Sequence, residues 1–156
     1  MSAPATLKAA KAALVDVLRG LPAWSDVVVF YGPCGIDEPD DYCEIRDASF
    51  SEREGEARQS SQRRRWYDFT IDGWLSCFYG GDDLVQQAAT ERALDLLSAL
   101  SDYLQDAGTV GSQQTSLGGV VEWARLSDAT VSDEDEDIAR GRTTTAEFTV
   151  SGRFLA

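Results

Sequence analysis

The sequence predicts an α+β domain, with a mixed or antiparallel sheet of about four to five strands packed against an N-terminal helix and one long central helix. Three observations carry that expectation. Between Gly80 and Gly108 the apolar residues recur with a helical period. Before and after that stretch, apolar and polar residues alternate with the period of a half-buried strand. The segments also come in the order helix, strand, loop, long strand or hairpin, long helix, strand, strand, which groups strands into runs and puts the helices on one face of the sheet.

The central helix organises the rest. With Leu96 at the centre of its apolar half, Val85, Ala89, Ala93, Leu97, Leu100, Tyr103, Leu104 and Ala107 fall on the same side. Gln87, Glu91, Ser98, Ser101, Asp102 and Gln105 fall on the other. Asp82 or Asp83 can cap its start and Gly108 can close its end. It would then be about 35 Å long, enough to lie across a small sheet.

The chain begins with a shorter amphipathic helix from Thr6, its expected cap, to Gly20, with Pro22 preventing its resumption. Leu7, Ala10, Leu14, Val17 and Leu18 line its apolar side. Asp26 to Tyr31 has the β-branched and aromatic content of a buried strand, and Gly32-Pro33-Cys34-Gly35 breaks it as a turn. Residues 36 to 62 are the least regular, with one short strand expected around Tyr42 to Ile45. A polar, mobile surface loop is expected at 51–62. From Trp66 to Tyr79 the alternation runs about a dozen residues, as one long strand or a hairpin bent near Gly73. Trp66, Trp74 and Phe78 fall on its otherwise polar face, which calls for something to cover that face, either a helix or another subunit. Val120 to Leu126 is a short strand candidate, Ser132 to Asp137 an acidic loop, and Arg140 to Leu155 a final threonine-rich strand.

Composition narrows the function. One hundred and fifty-six residues fit a single domain spanning 1–156. The net charge of −13 argues against a protein that reads DNA or RNA, which needs a basic footprint for phosphates. The absence of histidine removes the commonest general base and metal ligand. Three scattered cysteines, Cys34, Cys43 and Cys77, form no C-x-x-C pair and read as free thiols of a reducing compartment. No apolar run is long enough to span a bilayer, and the first residues lack a secretory signal. A protein made in a cytoplasm, and leaving it only within a larger particle, is the expectation.

No motif in the sequence carries catalytic chemistry. Asp133, Asp135 and Asp137 have the spacing of a calcium loop, but Ile138 stands at the glycine position and Thr144 at the bidentate glutamate position. No phosphate loop, nucleophile elbow or zinc ligand set is present. No catalytic, cofactor or metal residue is therefore assigned, and a non-enzymatic role is expected. Two charge clusters remain. Arg63, Arg64 and Arg65 form the one basic cluster; Asp133, Glu134, Asp135, Glu136 and Asp137 form the densest acidic one. The acidic run is either a solvated loop, a contact for a basic patch such as Arg63 to Arg65 of a neighbouring subunit, or a negative wall of a channel carrying DNA.

The order of elements and their local wording add a resemblance. LKAAKAALVDVLRG is followed by an apolar strand ending in Tyr31-Gly32, then R-R-x-W-x-x-x-x-I, then A-x-x-E-R-A-L-D-L-L-x-A-L, then G-R-x-T-T-A-E-F-T-V. Over nearly the whole chain this resembles the tail terminator, or tail completion, proteins of long-tailed bacteriophages and gene transfer agents. The resemblance implies a hexameric ring that caps the tail tube at its head-proximal end, stops tube polymerisation and offers a surface to the neck or head-completion protein. It also implies assembly in the host cytoplasm, a place in the virion, and genomic DNA passing through the lumen without sequence-specific binding. Arg63 to Arg65, Trp66, Trp74, Phe78 and Asp133 to Asp137 are then the candidate interface residues. Two rivals stand beside it: a neck or head-completion connector, and an acidic inhibitor that mimics DNA, against which the dispersal of the carboxylates speaks.

Overall fold

Long alternating segments need partners for their backbone groups, and here they find them in one five-stranded mixed sheet. A computed structural model describes residues 1–35, 37–53, 64–81, 85–105, 114–134 and 141–156, with only the backbone described at 134. Its elements are α1 (Ala3–Gly20), β1 (Val28–Phe30), β2 (Asp41–Glu52), β3 (Trp66–Tyr79), α2 (Val85–Gln105), β4 (Trp123–Glu134) and β5 (Arg142–Leu155). The strands lie in the order β1-β2-β3-β5-β4; β1 runs parallel to β2 and every other pairing is antiparallel. The expected α+β class is what forms.

Both helices lie on one face. α1 packs on β1, β2 and β3, while α2 packs on β3, β4 and β5. Residues paired across antiparallel strands share a face, so the register sorts the side chains into rows. Cys43, Leu75, Ala146 and Val131 form one row under the helices, with Leu96, Leu100 and Leu104 of α2 in the same core. Glu44, Trp74, Glu147 and Thr130 form the neighbouring row, which points away from the helices.

Several boundaries differ from expectation, each for a physical reason. α1 starts at Ala3 with Pro4 in its first turn, so Thr6 is no cap: it lies inside the helix, buried, its hydroxyl donating to the Ser2 carbonyl at 3.1 Å. Val15 is buried where Val17 was expected, and Val17 is only partly so. β2 runs for twelve residues, taking in Ser51 and Glu52 that read as loop. Asp47, Ser49 and Ser51 have poor strand propensity, but pairing with β3 overrides it beyond a bulge between Ile45 and Ala48. β4 likewise continues to Glu134, which puts Ser132, Asp133 and Glu134 on a strand rather than in a loop. The proposed helix caps at Asp82, Asp83 and Gly108, and most of the 51–62 loop, lie outside the described residues.

Gly73 is the sharpest case. It does not bend a hairpin, since β3 is a single strand of fourteen residues. Instead the Phe148 ring of β5 lies over it, and a Cβ built at that position would overlap the ring. Trp24, in a 3-10 turn after α1, is a second anchor: it is 1% exposed and its indole N–H donates to the Leu96 carbonyl of α2 at 3.0 Å. Gly73→Ala is expected to destabilise the fold by about 1–3 kcal/mol, because the core has no room for the added methyl. Thermal unfolding checks this, and an unchanged melting temperature would contradict it.

Candidate interaction surface

The face of the sheet turned away from the helices has no covering layer among the described residues. It is built of alternate positions on every strand. Trp66, Trp74 and Phe78 sit on it, all half-buried, as the alternation in β3 requires. Trp123, from the start of β4, joins them and was not singled out from sequence. Its signal was present: Trp123 and Arg125 are spaced by two at the head of a strand candidate.

Arginines stack on these rings. The Arg46 guanidinium lies 4.6 Å from the Trp74 ring centroid and also pairs with Glu44 at 2.8 Å. Glu44 is buried, and its other oxygen accepts the Cys34 backbone N–H at 2.8 Å, so both of its oxygens are engaged. At the opposite corner, Arg125 and Arg153 lie 5.3 and 5.8 Å from the Trp123 ring. Arg153 is held by Asp68 at 3.1 Å, and Thr149 by Asp72 at 2.9 Å. Around Trp123 the face sinks into an open basin of about 400 Å³ lined by Ser49, Ser51, Thr70, Arg125, Ser151 and Arg153.

The two predicted charge clusters fall at opposite ends of the sheet. Register places the start of β3 beside the end of β5, and the end of β3 beside its start: Trp66 pairs Leu155, Tyr79 pairs Arg142. Arg64 and Arg65 therefore sit at one pole, together with Arg125 and Arg153. Arg64 borders a groove with Met1, Val120 and Leu155. Arg65 is paired at 2.5 Å with Glu52 of its own β2, and its backbone is tied to Ala156. Arg63 lies outside the described residues.

At the other pole stand Asp37, Glu38, Asp40 and Asp133, all exposed, and Asp41, which meets Arg92 at 3.5 Å. Asp133 is not a free loop carboxylate. It sits on β4 and accepts hydrogen bonds from Thr90 and Thr144 at 2.8 and 3.0 Å, tying α2 to the sheet. Glu134 closes the strand, and Asp135, Glu136 and Asp137 lie outside the described residues. The sheet is thus electrically polar along its strands, with its two charged ends held apart by the length of β3.

The three cysteines are free. Cys43 and Cys77 face the core, and burial raises both thiols, Cys77 to about 12. Cys34, half-exposed, is raised by partial desolvation and by the carboxylates of Glu38, Glu44 and Asp37. Among the described residues no group of three His, Cys, Asp or Glu side chains is placed to hold a metal, and no helix is long and apolar enough to cross a membrane.

No family model matches the chain, and no curated protein does. A solved structure whose name states no function aligns over 97% of this chain and 96% of its own, at 11% identity and a TM-score of 0.41. Likeness at that level defines neither a family nor a function. What fold and surface define together is a two-layer α+β protein with an aromatic sheet face left open by its helices and oppositely charged ends.

The thiol environments have a consequence for chemistry and for stability. Native protein at mildly alkaline pH should take up one alkyl group from iodoacetamide, at Cys34, and all three thiols should react once it is denatured. Because the folded thiols titrate above their unfolded range, the unfolded chain loses protons first. Stability is therefore full below about pH 8.5 and declines as pH rises toward the folded values. Mass spectrometry and alkaline unfolding curves check this; rapid native alkylation of Cys43 or Cys77 would contradict it.

Proposed function

We propose that this chain is a structural subunit that assembles head-to-tail into a ring closing the tube of a phage-type tail, as its resemblance to tail terminators implies. The observation that supports it most is the placing of basic and acidic clusters at opposite poles of the same long strands, on either side of an uncovered aromatic face. Complementary patches at two different places on one subunit make a heterologous contact, which closes into a ring when the rotation per subunit divides a full turn.

The half-buried Trp66, Trp74 and Phe78 fit burial between subunits. Arginines interleaved with Asp68 and Asp72 on the open face fit a protein partner better than the carboxylate array of a DNA mimic. In this reading six copies sit at the head-proximal end of the tail, one ring surface on the tube protein and the other on the neck or head-completion protein. DNA passes through the lumen, where a net charge of −13 keeps phosphates from adhering.

Micrographs of a particle lacking this chain test the role: overlong tails are expected. Tails of normal length with unjoined heads would instead identify a neck connector. Reversing Arg63, Arg64 and Arg65 to Glu should weaken assembly, and the size of the loss should change with ionic strength. Light scattering reads it, and a triple variant that assembles like wild type at low salt would refute the use of this cluster.

A further inference from the structure

The basic pole holds more than one arginine cluster, and their surroundings differ. Arg65 is engaged by Glu52 of its own sheet, and Arg64 borders the groove around Met1 rather than the aromatic face. Arg125 is exposed, lies against Trp123, and has no carboxylate within ion-pair distance among the described residues. Arg153 beside it is oriented by Asp68, and the serine and threonine hydroxyls of the basin floor surround both. Asp68 also lines the basin and neutralises Arg153, so among the described residues the free charge is that of Arg125. The Arg125 guanidinium over the Trp123 ring, beside neutral hydroxyls, offers donors for a carboxylate and an apolar wall for the methylenes next to it.

We infer that the Trp123–Arg125–Arg153 basin is the docking site for an acidic peptide segment, namely the Asp133 to Asp137 run of a second copy of this chain. The inference rests on the head-to-tail reading above and names the contact that would carry it. Arg125 and Glu134 stand at opposite ends of β4, about 30 Å apart along the strand, so the copy's own acidic run starts at the far end of the sheet from the basin. In a neighbouring copy displaced along the strand axis, the same segment comes to the basin directly. Asp133 is held by Thr90 and Thr144 on β4, which leaves the four acids after it in the sequence as the carboxylates for the basin.

The test uses the full chain and a synthetic peptide of residues 131–139, titrated by calorimetry at low salt. Wild type should bind the peptide, and raising the salt should weaken binding steeply. Arg125→Glu should lose at least about tenfold in affinity. Lys8→Glu makes the same charge change on the exposed side of α1 and should stay within about twofold. Arg125 is exposed and holds no ion pair among the described residues, so the variant should keep the wild-type melting temperature, which is measured alongside. A peptide with its five acids replaced by lysine should prefer Arg125→Glu over wild type.

No binding by wild type, equal binding by Arg125→Glu, or an equal loss in Lys8→Glu would each overturn the inference. So would a short DNA duplex binding through Arg125 while the peptide does not, which would assign the basin to a phosphate backbone. Light scattering of wild type alone reports separately on the ring. A chain that stays monomeric at concentrations where the peptide binds through Arg125 would overturn the second copy as the occupant. Failure of the peptide to bind would leave the ring itself untouched.

Discussion

The pairing of β3 with β5 over fourteen consecutive residues is the constraint on which the rest depends. It fixes which side chains face the helices and which face outward, because a slip of one residue would exchange the two sets. Phe148 lying over Gly73 locks that register near the middle, where an ordinary side chain in place of the glycine would collide with the ring. With the register set, α1 and α2 cover the apolar rows on one side, and the aromatic and arginine rows are left on the other. The poles follow as well. Antiparallel pairing brings the start of β3 and the end of β5 together at one end, and the acidic end of β4 and the beginning of β2 to the other.

Much of this was legible in the residues. The period of 3.6 in α2 and of two in β3 and β5 pointed to the layers, since each pattern is only satisfied by burying one side. Trp66, Trp74 and Phe78 could be placed on the outer face by counting from Tyr67. What stayed hidden was pairing. Asp47, Ser49 and Ser51 form strand because β3 offers them hydrogen-bond partners, and no local preference announces it. Gly73 left one long strand and a bent hairpin both open for the same reason: a glycine in a strand can mark a kink or a close approach, and only the Phe148 ring, distant in sequence, decides between them. Trp123 was seen as a strand residue but not as part of a site, because its companions Arg153 and Asp68 come from two other strands.

The surface matters more than any cavity in this molecule. A polar sheet face with stacked arginines and half-buried tryptophans would be a liability in a protein that works alone, since its rings remain partly in water. In a subunit that meets copies of itself, the same face supplies burial at the centre and charge at the ends. The charges then serve mainly to set direction and register of the contact, while the aromatics supply area. A strongly acidic chain gains a further consistency: repulsion between copies is general, so only an orientation that brings the arginine pole to the acidic pole is favoured.

Hydroxyl-radical footprinting of assembled against dissociated protein tests the central claim most directly. Oxidation of Trp66, Trp74 and Trp123 on the open face should fall on assembly, while Leu94, exposed on the outer side of α2, keeps its reactivity. Protection of Leu94 with the three tryptophans unchanged would mean that copies meet through the helices, and would contradict contact through the open sheet face.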